Sequence, residues 1–166
     1  KDRFALKKTD SLVRDNDGMI KWGVKGVKSS VKSYRYGWDK RFVAGEKGKE
    51  YFVEVENLTN VTIEVVLSVD GLDILSGDPA SYSKNGYLIR PKKTLKILGY
   101  RTGNDRVSAF KFSTVSQSYT NQLHGKARNV GVIGIAAFSE KESNQRRKWS
   151  PVIDSDRLIA NPFSGN

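Results

Sequence analysis

The sequence predicts an all-β chain: a single-domain antiparallel β-sandwich, with jelly-roll and immunoglobulin-like topologies both open. Three observations predict it. The apolar residues are Val, Ile, Leu and aromatics in short runs that alternate with polar ones, as in strands with one buried face. About eight such runs follow one another at roughly ten-residue spacing, separated by Gly, Asn, Asp and Pro, the layout of sandwiches and barrels. Nothing between them has the length or periodicity of a crossover helix, which a parallel sheet would need.

The elements follow in chain order. A short strand is expected at Phe4 to Leu6, and Asp15-Asn16-Asp17-Gly18 has the residues of a hairpin turn. Ile20, Trp22 and Val24 alternate with Lys21, Gly23 and Lys25; Tyr34, Tyr36 and Trp38 repeat the pattern against Arg35, Gly37 and Asp39. After a turn at Gly45 to Gly48, the run Tyr51 to Glu56 and the alternation Val61, Ile63, Val65, Leu67, Val69 read as a hairpin around Asn57 to Asn60. Thr62, Glu64 and Ser68 take its outer face, and Asp70-Gly71 ends its second strand.

Gly77-Asp78-Pro79 is loop, since proline cannot donate to a central ladder. Strands follow at Tyr87 to Arg90, closed by Pro91, at Leu95 to Ile97, ending at Gly99, at Val107 to Phe112 and at Val130 to Phe138. Glu140 to Lys148 is wholly polar and suits one exposed helical turn, with Glu142 placed to meet Arg146. Residues 1–149 are thus expected to form the sandwich domain and 150–166 an irregular tail containing Pro151 and Pro162.

At 166 residues and 37% hydrophobic, the chain has apolar material for one core. With no cysteine, it has no disulfide framework, thiolate zinc site or thiol chemistry. No apolar stretch approaches the roughly 18 residues of a membrane span. The chain begins at Lys1 without an apolar leader, which fits an exported protein whose leader has been removed and equally a shortened or cytoplasmic one.

The net charge of +11 is unevenly spread: +8 over residues 1–49, −7 over 50–83, +6 over 84–106 and +4 over the rest. The two middle blocks nearly cancel, with Glu54, Glu56 and Glu64 expected across from Lys93 and Lys96 on neighbouring strands. The uncompensated charge belongs to the N-terminal third. There Lys21, Lys25, Lys28, Lys32, Arg35, Lys40 and Arg41 interleave with Trp22, Tyr34, Tyr36 and Trp38. Cations among exposed aromatics can hold single-stranded nucleic acid by phosphate contacts and base stacking, or grip anionic glycans and lipid head groups; if the rings are core instead, only a solvated charged face remains.

Other candidate chemistry is sparse. Asp15-Asn16-Asp17-Gly18 opens like a calcium loop, but Gly26 stands where the bidentate Glu belongs, so an ordinary turn is expected. His124 is the sole histidine, which excludes a histidine metal cluster and leaves a triad with Ser116 or Ser118 dependent on one loop residue. Asp70 and Asp73 would serve glycoside chemistry only if they faced across a cleft. Asn57-Leu58-Thr59 and Asn60-Val61-Thr62 match the N-glycosylation pattern. No metal, cofactor or catalytic residue is expected.

The succession Ser68-Val69-Asp70-Gly71-Leu72-Asp73-Ile74, Gly86-Tyr87-Leu88-Ile89-Arg90-Pro91, Ile97-Leu98-Gly99-Tyr100-Arg101, Ala109-Phe110-Lys111-Phe112-Ser113, Ser118-Tyr119 and Asn129-Val130-Gly131-Val132-Ile133-Gly134 resembles a family of uncharacterised, often exported, bacterial β-rich proteins. The resemblance covers roughly residues 50–140. It implies one β-rich domain in an exported or periplasmic setting and carries no activity or catalytic residue with it. The chain itself is read as a noncatalytic binding or structural module. Its partners would be an anionic envelope polymer or another envelope protein. A polyanion- or single-stranded nucleic-acid-binding β-domain using residues 21–41 is the alternative.

Overall fold

The computed structural model describes residues 6–37, 40–80, 85–103, 106–113 and 131–139. Within these the chain is all-β, without a helix, and every strand pairing is antiparallel. The strands are β1 Lys7–Thr9, β2 Leu12–Asp15, β3 Ile20–Gly26, β4 Lys32–Tyr36, β5 Lys40–Ala44, β6 Glu50–Asn57 and β7 Ile63–Val69. They continue as β8 Leu72–Asp73, β9 Tyr87–Ile89, β10 Thr94–Ile97, β11 Gly99–Arg101, β12 Val107–Lys111 and β13 Ile133–Ser139. The expected strand at Phe4 to Leu6 is displaced: Leu6 is exposed ahead of β1, whose pairing with β4 fixes the strand at Lys7–Thr9, and Phe4 lies outside the described residues. His124, Ser116, Ser118, Trp38 and the segment from Glu140 to the C-terminus also lie outside them.

Two sheets make the sandwich, each organised by one long central strand. β6 pairs along one edge with β3 over seven positions and shares its other edge between β10 and β12, with β11 and β2 outermost. β7 likewise takes β13 along one edge and shares the other between β8 and β9. The core lies between them. Ile20, Trp22, Val24, Tyr51, Val53, Val55, Ile97, Tyr100 and Phe110 from the first sheet meet Ile63, Val65, Leu67, Val69, Leu72 and Ile89 from the second. The period-two alternation of β3 and β6 sends these apolar side chains to one face.

The hairpin expected between β6 and β7 is not formed. Both edges of β6 are taken by other strands, so at Asn57 the chain crosses to the opposite sheet in an arch. Asn57 holds that corner from a fully buried position. Its Nδ2 donates to the carbonyls of Val61 (2.8 Å), Ile89 (2.9 Å) and Arg90 (3.1 Å). Its Oδ1 accepts from the Thr59 amide at 2.8 Å and the Thr59 hydroxyl at 2.7 Å. A side chain so enclosed is closed to glycosylation in the folded chain, whereas Asn60 is exposed.

β7 also departs from the expected outward polar face, since all seven of its residues are buried. Glu64, placed outward across from lysines by the charge pattern, is enclosed in the other sheet, where its Oε2 accepts the Gly86 amide at 2.7 Å. Gly86 permits this approach: a Cβ there would stand 2.1 Å from the Val65 carbonyl oxygen. Asp70 and Gly71, at φ +56° and +82°, form the two-residue turn from β7 to β8; both left-handed positions suit Asp-Gly. Gly99 opens β11 rather than ending a strand, because exposed Leu98 marks where pairing passes from β6 to β12.

The remaining three strands form a separate small sheet, ordered β1-β4-β5. Val31 and Val43 pack against the core. This places the small sheet against the sandwich beside β3.

Candidate functional site

The small sheet carries the candidate site, and its register decides which side chains share a face. Lys8 stands opposite Tyr34, which stands opposite Phe42; Tyr36 stands opposite Lys40, and Lys32 opposite Ala44. Cross-strand partners project to the same side of a sheet, and positions two apart along a strand do too. The alternate positions Ser33, Val43 and Arg41 turn inward: Ser33 is buried and Val43 packs on the core. The other face therefore presents Tyr34, Tyr36 and Phe42 together, with Lys8, Lys32 and Lys40 on three sides.

These aromatics are not core. Phe42 is 51% exposed, Tyr36 37% and Tyr34 half-buried, while Lys8, Lys32 and Lys40 are exposed. No carboxylate occupies a register position on this face. Among the described residues, none of these three lysines forms a salt bridge.

The seven cations read from the sequence do not share one surface. Lys32 and Lys40 border the aromatic face. Lys21 and Lys25 lie on the outer side of β3, where Lys21 stands opposite Glu56 and Lys25 pairs with Glu54 at 3.6 Å. Their charge is largely compensated there. Lys28 is exposed in the connection between β3 and β4. Arg35 is exposed on the opposite side of the small sheet from Tyr34, in one cross-strand row with Lys7 and Arg41.

Arg41 is structural in its contacts. Its guanidinium lies 5.5 Å from the Trp22 ring centroid, and Nη2 donates to the Ser11 carbonyl at 3.4 Å. Burial lowers its pKa, partly offset by the charge of Asp15. Asp15 in turn accepts the Trp22 indole N–H at 2.9 Å, so the cluster Arg41–Trp22–Asp15 fastens the small sheet to the sandwich. The turn at Asp15 to Gly18 forms as its residues predict, with Asn16 and Asp17 at positive φ. The Asn16 side chain accepts the Ala137 amide at 3.2 Å, linking that turn to β13.

Sequence reading missed Lys8 and Phe42. The signal available was the polar–aromatic–apolar run Lys40 to Ala44, which pairs along the whole of β4.

A second feature is a cavity of about 540 Å³ at the end of the sandwich away from Asn57, lined by Tyr51, Val69, Asp70, Tyr100, Phe110 and Lys111 among others. Tyr51 stacks on Phe110 with centroids 5.3 Å apart, Tyr100 meets Phe110 edge-on at 5.2 Å, and the Tyr100 hydroxyl donates to the Val69 carbonyl at 3.0 Å. Burial, with the Asp70 charge behind it, pushes the Tyr51 phenol well above its ordinary range. Asp70 and Asp73 do not face across a cleft. Asp73 is buried and accepts the Ser76 amide at 2.9 Å, while Asp70 accepts the Gly131 amide at 2.7 Å.

Burial raises the Asp70 pKa, and the Gly131 hydrogen bond opposes that rise. A folded-state pKa above the unfolded one gives stability that is complete below the ordinary aspartate value and is lost as pH rises through the raised value. Asp70→Asn keeps an acceptor for Gly131 and tolerates the left-handed turn, but carries no charge. Chemical denaturation between about pH 3 and pH 7 should show the difference shifting in favour of the variant as pH rises. Identical pH dependence in both chains would show that the carboxylate is not penalised.

Among the described residues, no group of three or more His, Cys, Asp and Glu is placed to hold a metal ion, and no helix is long and apolar enough to cross a membrane. Compared with family models, curated proteins and solved structures, the chain finds no match, and the face and the cavity are read from their own geometry.

Proposed function

We propose that this chain is a noncatalytic binding domain that takes an anionic polymer on the outer face of the β1-β4-β5 sheet. One observation carries the reading: Tyr34, Tyr36 and Phe42 are grouped on the water-facing side of a sheet and bordered by Lys8, Lys32 and Lys40, with no carboxylate among them. Three cations on one small face that form no ion pair among the described residues attract a polyanion by Coulomb steering and counter-ion release. Exposed rings among them add apolar contact that a merely solvated charged face lacks. The bacterial envelope is the proposed setting, supported by the resemblance carried by residues 50–140 and tested by whether the full-length gene product is exported.

The reading predicts which lysines matter. Affinity for heparin and for single-stranded DNA, measured across a salt series, should fall in a Lys8→Ala/Lys32→Ala/Lys40→Ala variant. For the single strand, the log–log salt slope should drop by about 2, roughly 0.7 for each lost phosphate contact. A Lys21→Ala/Lys25→Ala variant, whose cations already face Glu56 and Glu54, should change the slope by well under half as much. Equal losses in the two variants would reduce binding to net charge and end the assignment to this face.

A further inference from the structure

We infer that the polymer taken by the β1-β4-β5 face is a single-stranded nucleic acid, with bases stacked on Tyr34, Tyr36 and Phe42 and phosphates on Lys8, Lys32 and Lys40. The inference rests on the polyanion reading above and adds the chemical class of the ligand. A polyanion without rings has no use for two exposed aromatics beside a half-buried third, because lysines alone satisfy phosphates or sulfates. Any nucleobase has a flat π-face, and stacking on an aromatic side chain is therefore tolerant of sequence.

The spacing selects single strands. Tyr34 and Tyr36 are two residues apart on β4, a rise of roughly 6.7 Å. This is about twice the 3.4 Å between charges along one strand of a duplex. A strand pulled out of its own stack meets these rings one base at a time, whereas a duplex keeps its base faces hidden. Phe42, directly across from Tyr34, widens the platform by one strand spacing.

The cations fit the same pattern. Lys8 and Phe42 lie at opposite ends of the row centred on Tyr34, while Lys32 and Lys40 lie one step to either side of it. A backbone passing over the rings in either direction thus has an ammonium group within reach. Lysine is a compact charge with rotatable donors rather than a fixed bidentate fork, which suits backbone contacts made without reading sequence.

The test compares chains of equal phosphate number. Fluorescence anisotropy should show a labelled oligo(dT) binding at least about ten-fold tighter than an abasic oligomer of the same length, and tighter than a duplex of that length. Tyr34→Ala and Phe42→Ala should each weaken oligo(dT) about ten-fold and leave abasic binding unchanged. Phe42→Leu, which keeps an apolar side chain without a ring, should resemble Phe42→Ala.

Equal affinity for oligo(dT) and the abasic chain overturns this inference and leaves the polyanion reading standing. Heparin bound more tightly than oligo(dT), with a larger loss in Tyr34→Ala, overturns it in favour of an anionic glycan. If oligo(dT), heparin and the abasic chain all bind the wild type no better than the triple lysine variant, both readings fail.

Discussion

Replacing Asn57 with alanine is expected to destabilise the fold by about 3–5 kcal/mol. The estimate comes from counting what the side chain satisfies. Its amide N–H groups serve the carbonyls of Val61, Ile89 and Arg90, and its oxygen serves the amide and hydroxyl of Thr59. The hydrogen bond to Ile89 is buried. A buried polar group left without its partner costs about 1–3 kcal/mol, and here the buried Ile89 carbonyl loses its donor together with the part-buried Arg90 carbonyl and Thr59 amide. Asn57→Asp preserves volume but removes the donors, so equilibrium urea denaturation should place it at least as low as alanine at neutral pH. A loss under about 1 kcal/mol in both variants would show that the arch closes without this network.

Phe110→Ala should cost a similar amount, about 3–5 kcal/mol, through a different cause. Phe110 is 1% exposed and is among the largest fully buried side chains. Its ring lies between Tyr51, stacked at 5.3 Å, and Tyr100, met edge-on at 5.2 Å. Truncation removes both aromatic contacts and extends the neighbouring cavity into the core. Near-ultraviolet circular dichroism should lose tyrosine signal in parallel, because two phenols lose a fixed neighbour. Val107→Ala, on the same strand but 54% exposed, should stay within about 0.5 kcal/mol. Equal effects at the two positions would mean that the β12 side chains are not ordered as described.

The strongest alternations in the sequence correspond to the strands that build the core. Ile20, Trp22 and Val24, then Tyr51, Val53 and Val55, then Ile63, Val65, Leu67 and Val69 are all buried, because a period of two leaves a strand only one way to hide its apolar side. What those residues do not encode is the partner. Asn57 to Asn60 supplies turn residues for a hairpin and an arch alike, and the choice is made by β3, β10 and β12 occupying both edges of β6. Glu64 and Ser68 looked outward because they are polar, yet both faces of β7 are covered, so polarity there signals a satisfied interior group rather than contact with water. Of the four shortest strands, β9 was visible ahead of Pro91, while β1, β8 and β11 have no periodicity to read and exist through pairing. For the candidate site, the cation-rich run was visible as charge. Its division between faces was not, since that depends on how the small sheet packs beside Trp22.

The layout of the two central strands also governs how this chain acquires its structure. Each has one edge taken by a single long neighbour and the other shared by two short ones; β6 draws these from well before and well after it in the chain, whereas β7 draws all of them from later, β8 through a two-residue turn and β13 from near the end of the described residues. More than half of the contacts join residues distant in sequence, and a topology of high contact order folds slowly, on the scale of milliseconds to seconds. During synthesis, β6 emerges with one edge still to be filled and β7 with both, and β7 waits for residues as late as Ser139. Until then they offer apolar, hydrogen-bonding templates to other nascent chains. The period of greatest aggregation risk is therefore translation itself.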